Sequence, residues 1–140
     1  MSYEATLRVH FKEVDGAGRL FFTRIFEYCH DVYEDFLSHI GLPLHIHVAE
    51  RPWIMPVVHT EADYFAPMKL GDEIRVEVEI LKLGHRSITW QYHFKSQHLT
   101  PLATVRIVHV AMDRHTEMSC PLPEEVRTLL EPWLKEEAPR

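Results

Sequence analysis

One carboxylate sits where it could do chemistry: Asp15, in the run Asp15-Gly16-Ala17-Gly18, between an extended segment and a long helical pattern. An aspartate is ordinarily ionised at neutral pH, which suits attack on an electrophile or proton abstraction better than proton donation. The helix that follows begins with unpaired backbone N–H groups and the positive end of its dipole, so an oxygen gaining negative charge is stabilised there. A competing reading is purely conformational, because Asp before Gly is a common turn pair. Other residue types point nowhere specific. His45-Ile46-His47 with Glu50 offers two imidazoles and a carboxylate in an irregular stretch without fixed ligand spacing, and no metal is expected. Cys29 and Cys120 are a lone pair far apart in the chain, read as reduced thiols.

The elements around Asp15 follow from periodicity. From Tyr3 to Lys12 alternation is complete, with Tyr3, Ala5, Leu7, Val9 and Phe11 on one face, which predicts a half-buried strand. After Phe22 the apolar positions Ile25, Phe26, Cys29, Val32, Tyr33, Phe36, Leu37 and Ile40 keep helical spacing until Gly41 and Pro43 stop it. Such a helix of about 18 residues is roughly 27 Å long. Residues 42–52 carry no periodic signal. Trp53 to Tyr64 reads as a strand whose regular part follows Pro56, since proline lacks the ladder donor. Ile74, Val76, Val78 and Ile80, then Ile88, Trp90, Tyr92 and Phe94, alternate with polar residues as two more strands. Leu102 to Met112 is apolar at most positions, the pattern of a strand buried on both faces. A short helix is predicted from Pro123, ended or kinked by Pro132. The result is one domain over residues 1–140, an antiparallel sheet of five strands with a single long helix near its start.

Composition narrows the partners. Fifteen Lys and Arg against 21 Asp and Glu give a formal net charge of -6, which argues against a broad nucleic-acid surface. No apolar run is long enough for a membrane span, and the N-terminal residues lack a signal-peptide pattern, so the expected compartment is the cytoplasm.

The stretch Val14-Asp15-Gly16-Ala17-Gly18, placed between the first strand and the long helix and followed by Phe21-Phe22, resembles the active-site turn of the hotdog-fold 4-hydroxybenzoyl-CoA thioesterase family. Cys29-His30 with Tyr33-Glu34, Val58-His59, Asp63-Tyr64-Phe65-Ala66-Pro67 and Gly71-Asp72 extend the likeness, most closely to its 1,4-dihydroxy-2-naphthoyl-CoA thioesterases. This resemblance implies a curled antiparallel sheet around a central helix, and hydrolysis of an acyl-CoA without a cofactor. It implies that Asp15 is the nucleophile or general base, that the Phe22 backbone N–H polarises the thioester carbonyl, and that Gly18 lets substrate approach the backbone. Arg86 and Ser87 match where the family places a basic residue beside serine for the CoA phosphates, although Gly84-His85 makes the basic run thinner here, and an exposed turn accounts for Arg86 equally. The helix position of His30 matches the naphthoyl-CoA group and makes it a candidate pocket residue, although a partly exposed histidine needs no special role. His59 interrupts an apolar strand and is a candidate for the acyl pocket, although a hydrogen-bonded structural histidine also fits.

Phe21, Phe22, Tyr64 and Phe65 supply aromatic surface near the turn, which favours an aromatic acyl group. Aliphatic acyl-CoA and acyl carrier protein thioesters stay open. So does a non-catalytic acyl-CoA binding module, which would not need the carboxylate. A hotdog hydratase would call for a histidine near the turn, and Asp15 to Gly18 offers none. Relatives of this kind form homodimers and often homotetramers with sites at the dimer boundary, and the same is expected here.

Overall fold

The computed structural model describes residues 1–136. Five strands form the main sheet: β1 (Tyr3–Arg8), β3 (Val57–Tyr64), β4 (Glu73–Leu83), β5 (Ser87–Ser96) and β6 (Pro101–Val110). They lie in the order β1-β4-β5-β6-β3, and every neighbouring pair is antiparallel. Across its concave face runs α1 (Arg24–His39). This curled sheet wrapped round one long helix is the hotdog architecture. Two short strands, β2 (Trp53–Ile54) and β7 (Met112–Asp113), make a separate ribbon, and α3 (Glu124–Leu130) closes the chain with a final 3-10 turn, Glu131–Trp133. Among the described residues no helix is long and apolar enough to cross a membrane.

Side-chain alternation decides what the sheet buries. Ile74, Val76, Val78 and Ile80 of β4 and Ile88, Trp90, Tyr92 and Phe94 of β5 all point inward, against Ile25, Cys29, Val32, Phe36 and Leu37 of α1. Phe36 and Tyr33 each meet Trp90 edge-on, with ring centroids 5.6 and 5.2 Å apart, a favoured aromatic geometry. Outward positions pair by charge instead, as in His93 with Glu79 at 2.9 Å and Lys95 with Glu77 at 3.5 Å.

Four expectations change. Phe11 is exposed rather than on the buried face of β1, because the strand ends at Arg8 and residues 11–13 form a 3-10 turn that breaks the alternation. Residues 44–50 are helical (α2, Leu44–Glu50), a helix of two turns being too short to reveal a period. Tyr28, outside the predicted apolar stripe, is buried because its hydroxyl has a partner, Glu13. Strand β6 is not buried on both faces, since its outward Arg106 is exposed and lies 3.5 Å from Gln91 and 3.6 Å from Glu61.

One edge of the sheet is left open. Among the described residues β3 pairs only with β6, and seven of its eight residues are exposed. A long exposed edge is a standing template for another strand.

Candidate active site

The turn at Asp15 is built by its own carboxylate. Oδ1 accepts hydrogen bonds from the backbone N–H groups of Ala17 at 2.8 Å and Arg19 at 3.2 Å, and Gly18 N–H donates to the Asp15 carbonyl at 3.0 Å. Gly18 has φ +73°, a conformation that favours glycine. Among the described residues Oδ2 accepts no hydrogen bond, and the side chain is exposed. The conformational and chemical readings of Asp15 therefore coexist. One oxygen holds the turn, and that same restraint presents the other.

Nine residues on, the chain enters α1 without a capping side chain. Phe21 N–H donates to Glu13 O at 2.9 Å and Arg24 N–H to Phe21 O at 2.9 Å, whereas the N–H groups of Phe22 and Thr23 have no acceptor among the described residues. These free donors stand at the positive end of a 16-residue helix. Phe22 itself is 60% exposed and lies outside the core.

The segment after β3 locks this turn in place. Leu20 N–H donates to Met68 O at 2.7 Å, Leu70 N–H to Gly18 O at 2.9 Å, and the Tyr64 hydroxyl to Phe22 O. Asp63 to Pro67 and Gly71-Asp72 are thus the structural counterpart of the Asp15 turn. Between them lies a cleft of about 480 Å³ lined by Asp15, Arg19, Phe21, Phe22, Tyr64 and Phe65.

A second cleft, of about 470 Å³, opens at the other end of β3 and is walled by α1, α2 and the segment from Ile54 to Val57. His30 is exposed at its rim, and His109 of β6 lies within it, 3% exposed, stacked on Tyr33 at 4.9 Å. Sequence reasoning passed over His109, whose place in an apolar strand gave no sign of its setting. His47 packs on the Trp53 ring at 5.1 Å, and among the described residues no three His, Cys, Asp or Glu side chains gather as metal ligands.

The remaining candidates are scattered within one chain. Arg86 is exposed in the β4–β5 turn, where it donates to Ser119 O at 3.0 Å and Ser119 Oγ at 3.1 Å, and Ser87 begins β5 beside it. The eleven residues of β4 put this turn roughly 30 Å from the Asp15 end of the sheet, at about 3.3 Å per residue. His59 pairs with Val108 on the outer face, 3.7 Å from Glu61, so it points away from both clefts. Within one chain His59 lines neither cleft.

Glu13 ties α1 to the chain before the turn. Its Oε1 accepts from the Tyr28 hydroxyl at 2.6 Å and from His10 N–H at 2.9 Å. Burial raises the Glu13 carboxyl, but the hydrogen bonds from Tyr28 and His10 outweigh it and the net displacement is downward. A depressed carboxyl contributes stability at neutral pH and loses it as pH falls through its folded-state range. Tyr28→Phe should therefore lower stability by about 1–2 kcal/mol at pH 7, with the gap from the parent narrowing in acid. Urea titrations at pH 7 and pH 3 check this; equal gaps at both values would contradict it.

Comparison with known proteins converges on one group. The model of a family described as the thioesterase-like superfamily matches residues 9–130. The 1,4-dihydroxy-2-naphthoyl-CoA hydrolase of Synechococcus elongatus is 30% identical over 134 residues, 95% of each chain, and that of Prochlorococcus marinus 31% identical over 91% of this chain and 84% of its own. A crystal structure of a 1,4-dihydroxy-2-naphthoyl-CoA thioesterase from Synechocystis superposes with a TM-score of 0.86 at 26% identity, covering 93% of this chain and 96% of that one.

Proposed function

The chain belongs to the thioesterase-like superfamily, and from that membership we propose that it hydrolyses an aromatic acyl-CoA, of the 1,4-dihydroxy-2-naphthoyl or 4-hydroxybenzoyl kind, to the free acid and CoA. The observation that carries this reading is the pairing of a free Asp15 carboxylate oxygen with free N–H groups at the start of α1, both facing one aromatic-lined cleft. The thioester carbonyl oxygen accepts from Phe22 N–H, and the dipole end of α1 stabilises the negative charge that grows there. Asp15 Oδ2 then completes the reaction by one of two routes. As a nucleophile it adds to the carbonyl carbon, the C–S bond breaks, CoA leaves as thiolate, and water opens the resulting anhydride. As a general base it takes the proton of a water that adds to the same carbon, after which the C–S bond breaks and CoA leaves as thiolate to take up that proton. Both routes need the charge, and neither draws on a cofactor.

The second half of the site is supplied by a partner subunit. Pairing β3 antiparallel with its own copy continues the sheet and covers its open edge. A two-fold axis at Thr60 sets His59 opposite the partner's Glu61, whereas an axis at Glu61 sets two carboxylates face to face, so charge favours Thr60. In that register Tyr64 meets the partner's Pro56 end of the strand, beside the partner's second cleft. Tyr64 to the partner's His109 is then two strand spacings, about 10 Å, against about 20 Å along β6 to the His109 of its own chain. The same step brings the partner's His30, Arg86 and Ser87 to the Asp15 side, with Arg86 offered to the CoA phosphates. Gly18 keeps the turn open to the thioester. A cytoplasmic setting suits this substrate and the reduced thiols.

Two outcomes follow. Light scattering at micromolar concentration should give a dimer or larger assembly; a monomer that retains thioesterase activity would contradict the shared site. Asp15→Asn preserves size and turn bonding while removing charge, so its circular dichroism and melting should match the parent. Its turnover on 4-hydroxybenzoyl-CoA and 1,4-dihydroxy-2-naphthoyl-CoA, followed by thiol release, should fall by roughly 10² or more. A folded variant with turnover within about threefold of the parent, well short of an ordinary acid-base contribution, returns Asp15 to the turn role alone.

A further inference from the structure

His109, a lining residue of the second cleft, carries a buried ring nitrogen without a partner among the described residues. His109 Nδ1 lies 2.8 Å from the Met55 carbonyl oxygen, which only a ring N–H can satisfy, so Nδ1 carries the proton and donates. Burial lowers the affinity of this imidazole for a second proton, the bond to Met55 opposes that, and His30 nearby adds to the lowering. A neutral ring protonated on Nδ1 leaves Nε2 as an acceptor only. That Nε2 is buried and, among the described residues, has no hydrogen-bond partner.

Such an atom is uncommon in a folded protein, because a buried acceptor left unpaired loses its bond to water with nothing in return. The surroundings restrict what could satisfy it. Tyr33 is stacked on one face of the ring, 9° from parallel, and Trp90 stands edge-on at 6.4 Å. The cleft beside it is walled by Leu44, Val48, Ile54, Met55 and Val57, with His30, Asp31 and Glu34 on α1. A flat apolar group carrying one hydrogen-bond donor fits that chemistry: the ring is held by aliphatic and aromatic surface, and the donor meets Nε2.

We propose that His109, acting across the dimer boundary, is the specificity residue that accepts a hydrogen bond from a hydroxyl on the aromatic acyl group. This rests on the aromatic acyl-CoA reading above and assigns a residue to its selectivity. An acyl ring without the hydroxyl leaves Nε2 buried and unpaired, and the site discriminates against it. A site built to receive a hydroxyl rejects the analogue lacking one far more sharply than an apolar pocket separates sizes. His109 is a binding group in this scheme and takes no part in proton transfer at the thioester.

The test separates binding from hydrolysis. His109→Asn keeps an amide donor where Nδ1–H meets Met55 and removes the Nε2 acceptor. Thiol release from 4-hydroxybenzoyl-CoA and benzoyl-CoA gives kcat/KM for each, and calorimetry measures binding of free 1,4-dihydroxy-2-naphthoate and 2-naphthoate to the full chain. In the parent the hydroxylated compound should be favoured by roughly ten- to a hundredfold in both readouts, on the scale of one buried hydrogen bond. In His109→Asn that preference should collapse to within about threefold, below the scale of one such bond. Hydrolysis by a folded His109→Asn protein that keeps the parent's preference overturns the proposal and leaves the thioesterase reading standing. Hydroxyl-dependent binding that requires His109, found without thiol release from any acyl-CoA, supports the proposal and removes the hydrolytic reading. Equal binding of the two naphthoates by the parent overturns the proposal whatever the hydrolysis shows.

Discussion

Burial of one face of α1 against the concave side of the sheet fixes the helix direction, and with it the place where its free N–H groups emerge. Ile25, Cys29, Val32, Phe36 and Leu37 are all nearly inaccessible to solvent, in one core with the inward residues of β4 and β5. Burying side chains of this size contributes about 1.5–3 kcal/mol apiece, an upper figure because unfolded chains already bury part of this surface. No single hydrogen bond at the site approaches that sum. The helix is therefore anchored by its packing, and the bonds from Leu20, Leu70 and Tyr64 set the remaining detail of the turn. The geometry of the proposed site is a by-product of core geometry.

The sheet divides its duties by face and by edge. Its inner face is apolar and its outer face is laced by charge pairs, an arrangement that lets an antiparallel sheet meet water on one side. The edge at β3 fits neither category. Val57, Val58 and Tyr64 stand exposed there next to the His59–Glu61 pair, so the strand combines unsatisfied backbone groups with apolar surface. The proposed subunit pairing would answer both at once and bring the two clefts within reach of one acyl group.

Much of this was legible in the chain because two periods are clear. The twofold alternation of β4 and β5 and the helical spacing of α1 appear in the structure within one to three residues of their expected bounds. Asp15 was legible through its neighbours, since two glycines and a following helix define a turn in any context. What escaped depends on contacts between residues distant in sequence. Tyr28 is buried only because Glu13 receives its hydroxyl, and His109 takes its character from Met55 and Tyr33, on two other elements. The facing of His59 depends on a bulge between Val57 and His59 in β3, which flips the residues that follow to the opposite side. No local pattern encodes such a shift.

The central claim is that one carboxylate and one helix terminus act together on a thioester whose acyl group lies in the partner subunit. A crystal structure of the protein with a non-hydrolysable thioether analogue of 4-hydroxybenzoyl-CoA tests it most directly. The account predicts the analogue's carbonyl oxygen at hydrogen-bond distance from Phe22 N–H, Asp15 Oδ2 at roughly 3–3.5 Å from the carbonyl carbon or joined to it through one water, and the ring between the Asp15 turn and the partner's His109. A carbonyl bound away from the start of α1, with Asp15 touching only its own turn, would contradict it.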